Sequence, residues 1–254
     1  MELAHHREPS LLISGQAVSN FGDGVAVVAL TLLVLDTTHS VTALGWFSAA
    51  RMTPQVVFLL IGGAIVDRFS RRLLLLLLDV VRAILTAAIV ILIVAHALHF
   101  WELIIFAILF GCFDALFYPA ITAFTPEIVA EELLPAMSAV RPLSENLMGT
   151  AIGPAVGGIL AAFSASLSLG VDCATFVVSA LALALMRSTP KPCHKEGATM
   201  IGDIKEGLHF VIHTRWLWTT SASVTLVNAF VLTPMFVLIP YFLRHNLHLA
   251  KDYV

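Results

Sequence analysis

The stretch Gly63-Ala64-Ile65-Val66-Asp67-Arg68-Phe69-Ser70-Arg71-Arg72 lies between two long apolar runs of the sequence. It places one acid and three arginines within six residues. In a membrane protein, so short a charged stretch is a loop at the water boundary, and its basic excess marks the cytoplasmic side. The stretch therefore predicts a cytoplasmic turn between two membrane helices, and the sides of the other segments follow by alternation.

The composition of the chain excludes a soluble protein. Of the 254 residues, 59% are hydrophobic and only 12% are charged, and the mean hydropathy is +0.92. Soluble domains carry about 25% charged residues. The composition and the long apolar runs together predict an all-α integral membrane protein, in contact with the lipid bilayer along most of its length.

Seven apolar runs are predicted to be membrane-spanning helices, because each is long enough for a hydrocarbon core of about 30 Å. The predicted spans are residues 11–35, 41–66, 73–95, 103–124, 147–163, 169–186 and 217–242. Between the fourth and fifth spans, the early part of residues 125–146 is predicted to form an amphipathic helix on the membrane surface.

The basic residues outside the spans indicate the orientation of the chain. Almost all of them fall in segments on the same side as the arginine stretch, and only Arg244 and Lys251 fall on the other side. This asymmetry predicts a multi-pass protein of the inner (cytoplasmic) cell membrane whose N-terminus lies in the cytoplasm.

Residues 187–215 are the clearest break in composition, with several basic residues and two prolines. Residues 201–212 alternate apolar and polar side chains at helical spacing, which predicts a helix lying on the inner membrane face; a solvated linker is the alternative. The predicted domains are a six-helix transmembrane bundle (1–186), a cytoplasmic linker with an amphipathic helix (187–215) and the first helix of a truncated second bundle (216–254). One helix after a six-helix bundle indicates a fragment of a transporter built from two halves.

The arginine stretch also carries a family resemblance. The pattern Gly63-x-x-x-Asp67-Arg68-x-x-Arg71-Arg72 resembles the loop between helices two and three of the major facilitator superfamily, and it departs from that family at Ser70, where glycine is usual. The resemblance implies a gate in which Asp67 accepts hydrogen bonds from a neighbouring helix N-terminus and pairs with a basic group. The alternative is a loop that only fixes the topology.

A second stretch, Gly149-Thr150-Ala151-Ile152-Gly153-Pro154-Ala155-Val156-Gly157-Gly158, resembles the helix-five signature of family members that work as antiporters. Gly149, Gly153 and Gly157 recur every four residues, so they form one stripe along which another backbone can come close. Pro154 removes a backbone hydrogen bond and can kink the helix. The resemblance implies a sealing surface between the two halves; close packing without a coupling role is the alternative.

Three further phrases resemble enterobactin exporters and macrolide-efflux-like permeases. They are Ser19-Asn20-Phe21-Gly22-Asp23-Gly24, the segment Pro154–Gly158 followed later by Val171-Asp172, and Glu206-Gly207-Leu208-His209-Phe210. The resemblance covers the whole chain and implies the first half, and a little more, of a transporter with about twelve helices. It implies proton-coupled export of a small amphipathic compound, of drug, macrolide or siderophore type, by alternating access.

Three charged residues lie near the middle of predicted spans: Asp23, Arg51 and Asp114. A charge at the centre of a bilayer costs about 2.5–3.5 kcal/mol on insertion scales, so it usually faces a cavity or a partner. The family resemblance implies that Asp23 and Asp114 face the transport cavity and that one of them carries a proton. A structural salt bridge with Arg51 is the alternative.

Aromatic residues accompany Asp114 on one helical stripe, because they stand at spacings of three, four, seven and eight residues. Such a face suits a bulky, apolar substrate, including a cationic one, although plain packing is the commoner role of aromatic stripes. Asn20 and Gln55 are further polar groups that are expected to orient a ligand. The stripe consists of Phe110, Phe113, Asp114, Phe117 and Tyr118.

Other buried charges are expected to be structural. Asp79 and Arg82 are three residues apart and are interpreted as an i,i+3 pair. Asp172 is interpreted as a shallow, outward-facing residue of the sixth span. Glu145 and Asn146 are expected at the inner mouth of the fifth span.

The sequence contains no phosphate-binding loop and no nucleophile–base cluster, so an enzyme is not expected. His209 and His213 are four residues apart, but no carboxylate or cysteine completes a metal site. No cofactor, metal or nucleic-acid partner is expected; the expected partners are a small-molecule substrate, protons, lipid and the missing C-terminal half. A truncated relic or half-transporter partner, or a lipid-handling membrane protein, are the remaining alternatives.

Overall fold

The computed structural model describes residues 7–66, 69–186, 213–227 and 230. Throughout these residues the regular structure is helical, which confirms the predicted all-α class. The α-helices are α1 (Arg7–Thr38), α2 (Val41–Val66), α3 (Arg71–Val94), α4 (Phe100–Ile128), α5 (Leu134–Ser144), α6 (Gly153–Phe163), α7 (Ala165–Leu185) and α8 (Arg215–Val227).

A short 3₁₀ turn, Glu131–Leu133, and a π-helical segment, Glu145–Ile152, connect α4, α5 and α6. Together they form one continuous helix over Glu131–Phe163, called helix five below. The predicted surface segment, the early part of residues 125–146, is divided between the end of α4 and the start of helix five, and its place at the membrane surface stays a prediction. Pro135 and Pro154 are the second residues of α5 and α6, and Pro142 lies inside α5.

Five of the described helices are long and apolar enough to cross a membrane. They are Arg7–Thr38, Arg71–Val94, Phe100–Ile128, Glu131–Phe163 and Ala165–Leu185. Helix α2 has 26 residues and is therefore about 39 Å long. On α3, the exposed side chains Leu77, Ile84 and Ile91 repeat every seven residues and provide an apolar face of the kind that contacts lipid.

Helix α1 is the centre of the bundle, since it packs along α7 on one side and along helix five on another. Helix α2 packs against α4, and α3 packs against both α4 and α7. Two separate apolar clusters result. One, at the end that holds the loop between α2 and α3 (the motif end), includes Leu12, Val66 and Phe124; the other, toward the opposite end, includes Val34 and Leu103.

The chain divides into two compact units, Met1–Glu196 and Gly197–Val254. The helices α1 to α7 belong to the first unit. In the second unit, α8 covers Arg215–Val227, which is the early part of the predicted seventh span, with Trp216 and Trp218 exposed on it. The predicted amphipathic helix at 201–212 and the rest of the seventh span lie outside the described residues.

Candidate functional site

Arg71 joins the start of α3 to the end of α4. Its Nη1 atom donates a hydrogen bond to the Ala123 carbonyl oxygen at 3.1 Å and forms an ion pair with the carboxylate of Glu127. Both partners lie in the last two turns of α4. The Arg71 guanidinium therefore holds α3 against α4 at the motif end.

Arg72 joins the start of α3 to the end of α7. Its Nε atom donates to the Leu183 carbonyl oxygen at 2.9 Å, and its Nη2 atom donates to the Ala184 carbonyl oxygen at 2.8 Å. These carbonyls belong to the last turn of α7, which carries the negative end of the helix dipole, and the Leu183 oxygen also accepts a 3.3 Å hydrogen bond from the Met186 N–H. The arginine thus caps α7 from a neighbouring helix.

The remaining members of the arginine motif are only partly described. Gly63 lies on α2, three residues before its end at Val66. Asp67 and Arg68 lie outside the described residues. The predicted gate therefore stays a prediction. Arg71 and Arg72, the last two residues of the motif, make the contacts given above.

The glycine stripe of helix five packs against the backbone of α1. A β-carbon on Gly153 would lie 2.7 Å from the Phe21 carbonyl oxygen, and one on Gly157 would lie 2.7 Å from the Val25 carbonyl oxygen. Gly149 approaches the Asn20 carbonyl oxygen in the same way. The absence of side chains at these positions is therefore what lets helix five and α1 touch.

The two other residues of this signature differ from the stripe. Pro154 stands on the α1 side, where a β-carbon on Gly24 would lie 2.9 Å from the proline Cδ atom. Gly158 is off the stripe, since no atom lies within 4 Å of the place where its β-carbon would be. The π-helical segment ends immediately before Gly153, and such segments are frequent at functional sites.

Arg51, Gln55 and Asp114 meet between α2 and α4. Asp114 Oδ2 accepts a hydrogen bond from Gln55 Nε2 at 2.8 Å and lies 3.6 Å from Arg51 Nη2. The side chains of Arg51 and Asp114 remain 24% and 26% exposed, so this pair borders an accessible space. Three of the predicted cavity residues are thus brought together, and Asp114 is the group that they share.

Gly111 explains how α2 comes so close to α4 at this depth. A β-carbon on Gly111 would lie 2.1 Å from the Arg51 carbonyl oxygen, which no side chain tolerates. The guanidinium of Arg51 lies 4.9 Å from the centre of the Phe110 ring on α4. The backbone contact and the ring together hold Arg51 beside Asp114.

A second ion pair lies deeper, between α3 and α7. Arg82 Nη2 is 2.6 Å from Asp79 Oδ1, and Ser179 donates its hydroxyl hydrogen to Asp79 Oδ2, also at 2.6 Å. Asp79 and Arg82 are both fully buried. The predicted i,i+3 pair is confirmed, and the serine from α7 completes the hydrogen bonding of its carboxylate.

Arg82 also reaches the first pair, which sequence reasoning missed. Its Nη1 atom lies 3.6 Å from Asp114 Oδ1, and its guanidinium lies between two rings, 4.0 Å from the centre of Phe117 and 4.8 Å from that of Phe176. The sequence does carry a signal for this contact. Arg82 and Asp114 each stand at the middle of their helices, so the two side chains lie at a similar depth in the bundle.

Asp23 and Asp172 face each other across the contact between α1 and α7. Asp23 is partly exposed, and its carboxyl interacts electrostatically with Arg82, Asp114 and Arg51. Asp172 is 1% exposed, and a β-carbon on Gly22 would lie 2.8 Å from its Oδ1 atom. Asp172, which was interpreted as a shallow structural residue toward the outer end of the sixth span, is therefore deeper than predicted and fully buried. Helix α7 begins at Ala165, so Asp172 lies two turns inside it and faces α1.

These residues form one network, called the charge cluster below. It contains four carboxylic acids against two arginines: Asp23, Asp79, Asp114 and Asp172 against Arg51 and Arg82. If all six were ionised, the cluster would carry a net charge of −2. An uncompensated charge is costly in a membrane interior, so the cluster is suited to bind cations or protons.

The other predicted cavity residues do not all join the cluster. Phe117 does, through Arg82, whereas Phe113 packs at the edge of the apolar cluster of the motif end. Tyr118 is exposed, and its ring lies 4.9 Å from the guanidinium carbon of Arg141. Asn20 borders a small cavity between α1, α4 and α5, which Arg141 also lines.

Long apolar helices around a charged centre define a multi-pass helical membrane protein with a polar site at mid-bundle. The chain belongs to the Major Facilitator Superfamily, whose family model matches residues 12–253. This membership confirms the resemblance carried by the arginine and glycine motifs, and it makes the chain part of a family of membrane transporters for small molecules.

Several curated proteins are similar to the chain. The multidrug efflux pump Tap of Mycolicibacterium fortuitum is 31% identical over 94% of this chain and 61% of its own length. An uncharacterized MFS-type transporter of Bacillus subtilis, YfiS, is 27% identical over 79% of this chain and 48% of its own length. Macrolide efflux protein A of Streptococcus pyogenes is 24% identical over 68% of this chain and 43% of its own length.

The chain therefore spans about half the length of the curated relatives that it matches. A macrolide efflux protein is among these relatives, as the resemblance implied. No solved structure matches the chain.

Proposed function

We propose that the complete protein is a secondary transporter of the cell membrane that exports small amphipathic compounds in exchange for protons. The observation that carries this proposal is the excess of acids over arginines in the charge cluster, with Asp114 bordering an accessible space. The names of two relatives, a multidrug efflux pump and a macrolide efflux protein, support export rather than uptake.

In this proposal, Asp114 and Asp23 are the proton-carrying groups of the cavity. When Asp114 is ionised, it holds Arg51, Gln55 and Arg82 around it. A proton on Asp114 removes the charge that attracts both arginines, so their positions change with the protonation state. Movement of this kind would couple proton binding to the opening of the cavity.

We assign the substrate surface to the same region. We propose that Phe117, which stacks on Arg82, and the more distant Phe113, Tyr118 and Asn20 contribute aromatic and amide groups to the substrate surface of the complete protein, and that Gln55 orients the Asp114 carboxylate. An aromatic surface beside acids favours bulky, apolar and cationic compounds over small hydrophilic ones. Drugs, macrolides and siderophores are the substrate types that we propose to test.

The motif end is proposed to be cytoplasmic, together with the N-terminus, and to act as the inner gate. Asp67 and Arg68 would complete this gate with Arg71 and Arg72, which hold α4 and α7. We further propose that the glycine stripe and Pro154 of helix five form the rigid side against which the gate closes.

We also propose that the second half of the cavity is supplied by sequence beyond this chain. Residues 1–186 would form one six-helix half, 187–215 would connect it, and 216–254 would begin the other half. Reading the coding DNA past Val254 tests this. An in-frame continuation with about five more spans supports a two-half transporter. A stop codon with no gene for a second half would instead favour a relic or half-transporter partner.

Efflux measurements in inverted membrane vesicles test the function itself. The full-length protein is expected to move a fluorescent macrolide or cationic dye when a proton gradient is imposed and to stop when the gradient is dissipated. Asp114→Asn and Asp23→Asn are expected to abolish this proton-driven transport. The matched control is Asp36→Asn, which removes an exposed acid at the far end of α1.

Unchanged proton-driven efflux in both the Asp114 and the Asp23 variants would remove the assignment of these residues as proton carriers. Efflux by the unaltered protein that persists without a proton gradient would overturn proton coupling. Transport of none of the tested compounds, by a protein that is folded and inserted, would overturn the proposed substrate class.

A further inference from the structure

The carboxyl group of Asp172 has an unusual environment. It is fully buried, and its Oδ1 atom has no hydrogen-bond partner among the described residues. The hydroxyl of Thr86 on α3 is 0% exposed and lies beside this carboxyl, with which it interacts, although neither its oxygen nor Asp172 Oδ1 has a hydrogen bond of good geometry. A carboxyl in such a buried position is costly to keep ionised.

The other polar groups nearby are already engaged. Thr175 donates its hydroxyl hydrogen to the Asp172 backbone carbonyl at 2.7 Å, and Ser179 donates to Asp79. Cys173 directs its thiol to the Ala83 carbonyl oxygen at 3.3 Å. None of these three donors is therefore offered to the Asp172 carboxyl oxygens.

The charged groups around Asp172 come from every helix of the cluster. Asp23 on α1 is its nearest like charge, and Gly22 beside it leaves room for the contact. Arg82 on α3 and Arg51 on α2 act on it electrostatically; their Nη atoms are paired with Asp79 and Asp114, whereas Arg82 Nε has no hydrogen-bond partner among the described residues. Asp172 thus meets a second carboxyl, and in the described part of the chain it forms no ion pair with either arginine.

We propose that Asp172 is a buried proton-binding site, which holds a proton between its carboxyl and the Thr86 hydroxyl and exchanges it with Asp23. An ionised Asp172 could accept the Thr86 hydrogen but would keep a buried negative charge beside Asp23, whereas a protonated Asp172 is neutral and donates its O–H to the Thr86 oxygen. The proposal rests on the proton coupling proposed above, and it adds a group that lies away from the substrate surface.

The exchange is a simple proton transfer between two carboxyls. The O–H bond on Asp23 breaks, an O–H bond forms on Asp172, and the negative charge moves from Asp172 to Asp23. Adjacent carboxylates repel each other, so one proton is retained between the two groups. Asp23 is partly exposed and therefore loads the proton, whereas Asp172 is shielded and stores it.

Infrared difference spectroscopy of the full-length protein in lipid nanodiscs tests this site without relying on transport. The carbonyl stretch of a protonated carboxyl is separate from that of a carboxylate, so it can be followed as the pH is changed. Asp172→Asn is expected to remove one such band, and Asp23→Asn to shift the pH at which it disappears. The exposed control, Asp36→Asn, is expected to leave the band unchanged.

Thr86 provides a second, independent variant in case Asp172→Asn does not fold. Thr86→Val is expected to keep the band but move it to the frequency of a carboxyl without a hydrogen bond, and Thr86→Ser is expected to restore it. A band that is unaffected by every Asp172 and Thr86 variant would overturn the proposal. So would a response of the Asp172 band to sodium ions instead of pH.

The two proposals fail in different ways. If the unaltered protein transports without a proton gradient but its Asp172 band titrates, proton coupling fails and the buried site stands as a proton site. If efflux is proton-driven while Asp172→Asn transports with the same pH profile as the unaltered protein and leaves the band intact, only the site at Asp172 fails.

Discussion

The Nη1 atom of Arg82 lies 3.6 Å from Oδ1 of Asp114, although the same guanidinium is bound at 2.6 Å to Asp79 on its own helix. This contact joins the buried ion pair of α3 to the accessible pair between α2 and α4. It places a single arginine between a fully buried acid and an acid whose side chain is 26% exposed.

Replacing Arg82 by Met should destabilise the protein by about 3–5 kcal/mol, because it leaves the Asp79 charge buried without a cation. The double variant Asp79→Asn with Arg82→Met should recover much of this loss, since neither charge then remains. Thermal unfolding of the detergent-purified protein measures both effects. Single-variant losses that simply add in the double variant would show that the two side chains do not act as a pair.

Alanine at Gly153 or Gly157 should cost about 1–3 kcal/mol each, because the added carbon would overlap the α1 backbone. The matched control is Gly158→Ala on the same helix, which meets no atom and should be neutral or stabilising by up to about 1 kcal/mol. Chemical unfolding of the three variants compares them. Equal stability of all three would mean that helix five and α1 are not in backbone contact.

Alanine at Arg72 should loosen the end of α7, whereas alanine at Arg71 should loosen the end of α4. Hydrogen bonds from charged donors contribute about 1.5–3 kcal/mol, so amide exchange should quicken about tenfold to a hundredfold at the affected helix end. Hydrogen–deuterium exchange read by mass spectrometry distinguishes peptides around Leu183 from those around Glu127. The prediction fails if each variant affects both helix ends equally.

Alanine at Gly111 should push α2 away from α4 and weaken the contact between Arg51 and Asp114, because the new carbon would meet the Arg51 carbonyl oxygen at 2.1 Å. The control Gly45→Ala lies in open space on α2, the helix that packs against Gly111, and should instead stabilise the protein by about 0.5–1 kcal/mol. The free energy of unfolding is expected to fall in the Gly111→Ala variant and to rise in the Gly45→Ala variant. A Gly111 variant as stable as the Gly45 variant would contradict the close approach.

Local sequence patterns predicted the helices well where apolar runs ended sharply. The predicted second span, 41–66, coincides with α2, and α3 begins at Arg71, within the arginine motif. The helices extend beyond several other predicted spans, because a helix does not stop where its hydrophobicity does. α1 begins at Arg7, and α4 begins at Phe100 with a capping box between His99 and Glu102.

The site was harder to predict because it depends on which way each helix faces. Arg51, Gln55 and Asp114 were singled out by depth alone, and they do meet. Arg82 was interpreted as part of a local pair, since spacing along one helix says nothing about its reach to α4. Asp172 was misplaced because its span was assumed to begin four residues later than α7 does, which made it shallow.

The bond between Arg72 and the last carbonyls of α7 has a mechanical consequence. Arg72 stands at the first turn of α3, so its bonds fix the end of α7 to the start of α3. A displacement of the last turn of α7 would therefore be transmitted to the foot of the helix that carries Asp79 and Arg82. The arginine is thus a mechanical link between the end of α7 and the buried charges.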